Sequence, residues 1–171
     1  MTLNYPSDTP KSSVFTDVKA YLTDLGFRTT HVDDSRPWGG FYYVDEAQAP
    51  QFIRTYFPHL NVEDFAGFSK LSPKILLVAP NARLSWQYHH RRSEIWTVIG
   101  GNAAIVISDT DEQTPQRPLP LGSQVSLKRG ERHRLVGVDE WGIVAEIWQH
   151  TDAAHPSDED DIVRVQDDFG R

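Results

Sequence analysis

The 171-residue sequence contains no cysteine, no long apolar run and no block of basic residues. Without cysteine the chain forms no disulfide and offers no thiolate, and its composition does not indicate an oxidising compartment, so we expect a cytoplasmic protein. No apolar segment approaches the roughly 20 residues of a membrane-spanning helix, and the N-terminus lacks the pattern of a secretion signal. We therefore expect no membrane partner.

The charge balance is acidic, with 17 Lys and Arg against 24 Asp and Glu and a formal net charge of −7. An acidic chain without a basic patch does not favour contact with a phosphate backbone, so nucleic acid is not an expected partner. The length suits one domain with a sizeable core. We predict a helical extension over residues 1–35, followed by one domain over residues 36–171.

Two helices are predicted in the first 60 residues. Apolar residues recur at spacings of three and four in KSSVFTDVKAYLTDLGF, residues 11–27, and Gly26 is placed to end that helix. A second helix within residues 45–60 is limited to a short one by Pro50 and Pro58.

From Lys74 onward the sequence changes to short segments rich in β-branched and aromatic residues, separated by Pro, Gly, Asn or Asp. About seven such strands follow one another, and the turns between them are too short for the helical crossovers of a parallel sheet. The predicted fold class is therefore all-β, an antiparallel sandwich or small barrel, with the first helix covering a face or an edge. The segment IVRV near the C-terminus is one further strand or helix.

The stretch SWQYHHRRSEIW, residues 85–96, concentrates polar side chains between tryptophans. Side chains alternate between the faces of a strand, so Gln87 and His89 share a face. The turn HRRS then brings Glu94 back on the next strand, and the turn RGERH introduces His133 on a third. An amide oxygen, two imidazoles and a carboxylate form a ligand set suited to Zn, Fe, Mn, Co or Ni, with positions left for water or substrate.

Spacing alone leaves a second interpretation open. A lone histidine on a strand is more often a hydrogen-bonded core or surface residue than a metal ligand. His90 should face away from Gln87 and His89, and Arg91 and Arg92 could be solvated turn residues.

The same residues resemble the two motifs of the cupins. The first motif is a histidine pair, a glutamate five residues after the second histidine and a glycine seven residues later; the second is a glycine followed by a histidine three residues on. The matching positions are Gln87, His89, Glu94, Gly101, Gly130 and His133. Glutamine in place of the first histidine is similar to the phosphomannose isomerases, whose metal is held by Gln, His, Glu and His.

Four segments together resemble the C-terminal isomerase domain of the bifunctional mannose-6-phosphate isomerase/mannose-1-phosphate guanylyltransferases. They are RPWG, ARLSWQYHHRRSEIWTVIGGNAAI, GERHRL and EDDIVRVQDDFGR. The resemblance implies a cupin barrel (double-stranded β-helix, jelly-roll) over residues 36–171. Residues 45–73 have no counterpart in that domain, and the guanylyltransferase half has no counterpart in this sequence. The sequence departs from the family at Asn81, Arg91, Gly137 and Trp148, which surround the predicted pocket.

The implied activity is aldose–ketose isomerisation of a sugar phosphate, with mannose 6-phosphate to fructose 6-phosphate as the first candidate, in polysaccharide biosynthesis. The implied cofactor is a divalent metal ion, zinc first and Mn, Fe, Co or Ni as alternatives, held by Gln87, His89, Glu94 and His133. Because cupins commonly dimerise and an open sheet edge needs cover, we expect a homodimer.

If the implied activity holds, the site also needs a base and phosphate contacts. Glu146, on a predicted inward face, and Lys128, on a predicted turn, are candidate catalytic bases, although each also suits a structural or solvated role. Arg92, Arg134 and Arg164 match arginines of the family motifs and are candidate phosphate contacts, but each could instead pair with nearby acids.

Two other functions stay open from the sequence. One is an isomerase or epimerase of another, unphosphorylated sugar, or a dioxygenase on the same scaffold. The other is a sugar-binding cupin without turnover.

Overall fold

A computed structural model describes residues 2–171 of the chain. The helices are α1 (Lys11–Asp24) and α2 (Ala49–Tyr56), the latter flanked by short 3-10 turns at Glu46–Gln48 and Val62–Phe65. The strands are β1 (Thr29–Asp33), β2 (Gly39–Val44), β3 (Lys74–Val78), β4 (Trp86–Tyr88), β5 (Arg92–Gly100), β6 (Ala103–Ser108), β7 (Arg117–Leu119), β8 (Gln124–Leu127), β9 (Arg132–Gly137), β10 (Gly142–His150) and β11 (Val163–Gln166).

The strands form two antiparallel sheets. One sheet has the order β1-β2-β3-β10-β5-β8 and the other the order β11-β4-β9-β6-β7. From β3 to β10 the chain passes repeatedly from one sheet to the other, and apolar side chains of both sheets share one core. Among them are Leu76, Trp96, Ile105, Leu135 and Val144. The all-β class and the cupin barrel are confirmed.

Side-chain alternation along β3 and β10 separates the barrel interior from the helix-covered face. Ile75 and Leu77 of β3 pack with the helices, whereas Leu76 and Val78 belong to the barrel core. On β10 the residues Ile143, Ala145 and Ile147 take the helix side, and the residues between them turn inward. Both faces of this sheet are therefore buried.

Helices α1 and α2 cover the outer face of the six-stranded sheet. Their apolar side chains join the cluster on that face; they are Val14, Phe15, Val18, Leu22, Phe52 and Ile53. Both predicted helices are confirmed, and α1 is followed by Gly26 with a φ of +80°. No helix among residues 2–171 has the length and apolar character needed to cross a bilayer.

The predicted extension over residues 1–35 contains a strand as well as a helix, because β1 pairs with β2 at the edge of the larger sheet. The boundary between residues 35 and 36 stays a prediction. Eight strands, rather than about seven, lie between residues 74 and 150. The additional one, β7, contains Pro118 and lies at a sheet edge, where proline is tolerated because no ladder bond is lost. The segment IVRV contributes to strand β11.

Gly137 ends β9 where the chain packs against the turn that precedes β4. Its backbone N–H donates to the Ala82 carbonyl at 2.7 Å, and a Cβ atom on it would lie 1.9 Å from the carbonyl oxygen of Ala79. Only glycine permits this approach, which gives the sequence departure at this position a local reason.

We predict that Gly137→Ala lowers the free energy of unfolding by about 1–3 kcal/mol, because the added methyl group must displace backbone. A Cβ atom on Gly67 would meet no heavy atom within 4 Å, so Gly67→Ala is the matched control and should stay within about 1 kcal/mol of the wild type. Urea denaturation of both variants measures the difference. Equal stability of the two variants would contradict the packing described here.

Candidate metal centre

The predicted ligands lie on three neighbouring segments of the barrel. Gln87 is in β4, His89 follows that strand, Glu94 is in β5 and His133 is in β9. Gln87 and His133 are direct cross-strand partners, so their side chains lie on one face of the smaller sheet. Glu94 comes from the other sheet, and all four side chains are buried.

Two imidazole nitrogens face the two oxygens of one carboxylate. Nε2 of His89 lies 3.2 Å from Oε1 of Glu94, and Nε2 of His133 lies 3.4 Å from Oε2. The ligand atoms of the three residues lie within 4.8 Å of one another. Ligand atoms about 2.1 Å from a tetrahedral ion are separated by about 3.4 Å, so this triad fits a divalent metal ion.

Backbone carbonyls fix the orientation of both imidazoles. Nδ1 of His89 donates to the Asp161 carbonyl at 2.6 Å, and Nδ1 of His133 donates to the Glu131 carbonyl at 2.9 Å. Because a carbonyl oxygen only accepts, Nδ1 carries the proton, and the neutral form of each ring has its free lone pair on Nε2. Nε2 of His133 is buried and has no hydrogen-bond partner among residues 2–171, so it is available to a cation.

The charges in this cluster favour an ionised carboxylate. Burial alone would raise the pKa of Glu94, but His89, Arg92 and His133 hold it well below its usual range. Burial lowers the pKa of His89, so this ring is neutral at neutral pH. For His133 burial acts in the same direction, but the negative charge of Glu94, whose Oε2 lies 3.4 Å from Nε2, outweighs it and raises the pKa.

Arg92 is buried beside the triad. Its Nε donates to Oε1 of Glu94 at 2.7 Å, and one terminal nitrogen lies 3.1 Å from Nε2 of His89. The other terminal nitrogen donates to Oγ of Ser157 and to the carbonyl of Asp158. A metal on Nε2 of His89 would take the lone pair that now accepts from Arg92, so metal binding requires the guanidinium to release that one contact.

A second buried carboxylate, Glu146, faces the same cavity. Nε1 of Trp96 donates to its Oε2 and Nε1 of Trp148 donates to its Oε1, each at 2.7 Å. Burial raises the pKa of Glu146 to about 7, and the negative charge of Glu94 adds to this effect. Lys74, 3.9 Å from Oε1 of Glu146, acts in the opposite direction.

Lys74 is a buried cation that sequence reasoning missed. Its Nζ donates to Oε1 of Glu159 at 2.7 Å and lies 4.2 to 4.7 Å from the ring centroids of Phe41, Tyr43 and Trp148. The available signal was its position in β3, because alternation places residue 74 on the inward face with Leu76 and Val78. Glu159 had no such signal, since it lies in an acidic run that suits a solvated tail.

Cations outnumber acids in the cavity that Gln87 and Glu94 of this centre line. Its charged lining residues are Arg36, Lys74, Arg92, Arg164 and Arg171 on the basic side and Glu94, Glu146 and Glu159 on the acidic side. Gln87 and Ser85 also line it, and Oγ of Ser85 donates to Oε1 of Gln87 at 2.5 Å. The excess of positive charge contrasts with the acidic chain as a whole.

Two of the predicted residues lie away from this cavity. Lys128 is exposed on the turn after β8, where its backbone N–H donates to Glu131. Arg134 is fully buried behind the barrel wall, and it donates to the carbonyl of Leu84 and to Gln113 and Gln166. Neither residue lines the cavity, because Lys128 is beyond the strand end and Arg134 points to the face opposite His133.

Comparison with known proteins shows relatives and structural neighbours. Alginate biosynthesis protein AlgA of Pseudomonas aeruginosa is 28% identical over 165 residues, which is 91% of this chain and 27% of the relative. Xanthan biosynthesis protein XanB of Xanthomonas campestris is 29% identical over 148 residues, 84% of this chain and 24% of the relative. The chain thus spans about a quarter of the length of these curated relatives.

A solved structure of oxalate decarboxylase OxdC from Bacillus subtilis matches with a TM-score of 0.55 at 15% identity, over 81% of this chain and 32% of that one. At this identity the likeness shows a shared fold. The family model described as mannose-6-phosphate isomerase C-terminal matches residues 50–167, well over half of the sequence, and the chain belongs to that family.

Proposed function

We propose that the protein is a metal-dependent aldose–ketose isomerase of a sugar phosphate, with mannose 6-phosphate to fructose 6-phosphate as its reaction. One observation carries this proposal: Glu94 of the buried His89–Glu94–His133 cluster lines a cation-rich cavity together with a second carboxylate, Glu146. The family description names mannose-6-phosphate isomerase, and the relatives' names place them in alginate and xanthan biosynthesis. A role in polysaccharide biosynthesis is therefore part of the proposal.

The residues that would hold the metal are Gln87, His89, Glu94 and His133. Their amide, imidazole and carboxylate donors suit zinc first, with Mn, Fe, Co and Ni as alternatives. A divalent cation bound by these residues would supply Lewis-acid chemistry to a sugar carbonyl.

Glu146 is the proposed catalytic base. Isomerisation needs a group that removes the proton from C2 of the aldose and returns it to C1, while the hydroxyl proton passes from O2 to O1. A carboxylate with a pKa near 7 both accepts and releases a proton readily at neutral pH. The indoles of Trp96 and Trp148 each bond one of its oxygens and thereby fix its orientation in the cavity.

Lys74 and Arg92 place positive charges around the proposed base, Glu146. Lys74 places a positive charge close to Glu146, and Arg92 stacks on Trp148 with 3.6 Å from its guanidinium carbon to the ring centroid. Since both cations line the cavity, they also face the oxygens of a bound sugar. Arg92 is too deeply engaged with Glu94 to be the main phosphate contact, so we assign it to the reacting end of the substrate.

We also propose that the protein acts in the cytoplasm as a homodimer, without a nucleic-acid or membrane partner. Strands β1 and β8 are outermost in the larger sheet and β11 and β7 in the smaller one, and each has a single neighbouring strand among residues 2–171. An exposed edge is a site for strand pairing with a second copy.

The first prediction concerns the metal. His89→Asn and His133→Asn each remove an imidazole ligand, so metal affinity should fall by roughly a hundredfold or more. Elemental analysis after dialysis against each candidate metal measures the loss, and isomerase assays with mannose 6-phosphate follow it. His90→Asn is the matched control, because His90 is the adjacent exposed histidine and should leave the metal content unchanged. Full metal content in His89→Asn would refute the ligand assignment.

The second prediction concerns the base. Glu146→Gln should lower kcat by about 10²- to 10⁴-fold with little change in KM, because the amide cannot accept the C2 proton. In the wild type the ionised form of Glu146 is required, so kcat should rise with pH to a midpoint at or below about 7, since a bound cation lowers the pKa from that value. In Glu146→Gln this rise of kcat with pH should be absent.

The control for this prediction is Glu112→Gln, which changes an exposed glutamate outside the cavity and should leave kcat unaltered. Metal content of each variant distinguishes loss of the base from loss of the cation. A Glu146→Gln enzyme with full metal content and wild-type kcat would exclude Glu146 as the base. A metal-loaded wild type that converts neither phosphorylated nor free aldoses would contradict the isomerase proposal as a whole.

A further inference from the structure

We propose that a groove on the outer face of the larger sheet, between helix α2 and strand β8, is a second binding site and takes an uncharged saccharide. This outer groove is lined by Tyr21 of α1 and by side chains from residues 55–59, 97–99 and 121–124. Its volume is about 330 Å³, which falls within the roughly 300–1,000 Å³ of small-molecule pockets. The proposal does not depend on the isomerase function.

Strand β5 separates the outer groove from the metal centre. Trp96 points into the barrel, where its indole bonds Glu94 and Glu146, and Thr97 points to the opposite face of the sheet. Gln124 of β8 is the cross-strand partner of Thr97, so its side chain also lies on the outer face. The outer groove shares no lining residue with the cavity of the metal centre, and the two sites are therefore distinct.

Two buried hydroxyl groups in the outer groove lack hydrogen-bond partners. Tyr56 and Thr97 are 4% and 9% exposed, and neither Oη of Tyr56 nor Oγ1 of Thr97 has a partner among residues 2–171. A buried hydroxyl that gives up its bonds to water without gaining others destabilises the fold. Such groups are uncommon in proteins, and two of them in one groove indicate that a ligand supplies the missing bonds.

The fold holds both hydroxyls in fixed positions. The Tyr56 ring packs against Phe52 and Phe27, with 4.8 and 5.8 Å between the ring centroids. Thr97 is β-branched and lies within β5, which restricts rotation of its side chain. Burial raises the pKa of Tyr56, and Tyr21 raises it further, although the two hydroxyls do not meet the geometry of a hydrogen bond. Both buried hydroxyls are therefore neutral, and each can donate and accept.

The lining favours an uncharged ligand with several hydroxyl groups. Within the part of the chain that the structure describes, no Lys, Arg, Asp or Glu lines the outer groove, so a phosphate or carboxylate would meet no counter-charge there. The amide of Gln124 and the imidazole of His59 donate and accept, as the hydroxyls of a sugar do. Tyr21, Pro58 and Leu121 add apolar surface, and Leu121 is 61% exposed. Polar groups set among apolar surface fit the hydroxyls and the C–H face of a sugar ring.

Exposed side chains at the rim give a ligand access to the two hydroxyls. Each hydroxyl oxygen is itself almost inaccessible to solvent. His59 and Gln124, in contrast, are exposed, and their side chains form no hydrogen bond with any of residues 2–171. Movement of these two side chains therefore opens the outer groove without breaking a hydrogen bond of the protein.

Binding of methyl α-glucoside and methyl α-mannoside to the purified protein tests the site. These glycosides lack the free carbonyl group on which the proposed isomerase acts, so they are not converted. In an isotope-labelled protein, each glycoside should shift the amide signals of residues 55–59 and 121–124 to saturation, and excess inorganic phosphate should not displace it. Tyr56→Phe and Thr97→Val each remove one hydroxyl at nearly constant shape and should weaken binding by about three- to tenfold.

Tyr5→Phe is the matched control. The Tyr5 hydroxyl is also buried without a hydrogen-bond partner among the described residues, but Tyr5 does not line the outer groove. This variant should bind both glycosides as the wild type does. Urea denaturation without ligand should show at least wild-type stability for Tyr56→Phe and Thr97→Val, since each removes an unsatisfied hydroxyl. A destabilised Tyr56→Phe with unchanged glycoside binding would mean that this hydroxyl serves the fold, and would overturn the site.

Other occupants of the outer groove, and other places for the glycoside, give different results. If only water fills the groove, neither glycoside should move the amide signals of the two segments. If a second copy of the chain covers it, these signals should move with protein concentration instead. Removal of metal with a chelator should leave glycoside binding unchanged, because the metal centre lies on the other face of β5. Unmoved signals, a dependence on protein concentration or a requirement for metal would each overturn the saccharide site.

Discussion

The rest of the site depends on one buried carboxylate, that of Glu94, whose negative charge has to be compensated. A charge of this kind is tolerated in a protein interior only if cations or donors surround it. Here His89, His133 and Arg92 do so, and the pKa of Glu94 is held down despite complete burial. Because these partners come from both sheets, the site assembles only when the barrel closes.

Glu146 is the counterpart of Glu94 in the same cavity, and the two carboxylates differ in charge state because their surroundings differ. The Trp96 indole bonds both, at 3.2 Å to Glu94 and 2.7 Å to Glu146, but the imidazoles and Arg92 contact only Glu94. The pKa of Glu94 is consequently lowered and that of Glu146 raised. In the proposed isomerase, the separated pKa values would give Glu94 the role of a charged ligand and Glu146 that of the proton-exchanging base.

Sequence reasoning predicted what depends on local geometry. Side-chain alternation and one short turn suffice to bring Gln87, His89 and Glu94 together, and the same alternation turns Glu146 inward on β10. Because side chains alternate along a strand, Arg134, which follows His133, could also have been placed outside the cavity. The same alternation along β3 could have placed Lys74 inside it. Spacing carried no information on which strand lies beside which, so the pairing of Arg164 with Gln87 needed the structure.

The C-terminal segment was least accessible to sequence reasoning, because its acidic composition suits a solvated tail. Its residues instead contact the proposed metal centre: the Asp161 carbonyl accepts from His89, and the Asp161 carboxylate accepts from the backbone N–H groups of His90 and Arg91. Ser157 donates to Asp161 and accepts from Arg92. Since these contacts are made to the proposed ligands and their immediate neighbours, a cation bound by those ligands would also stabilise the position of the C-terminal segment.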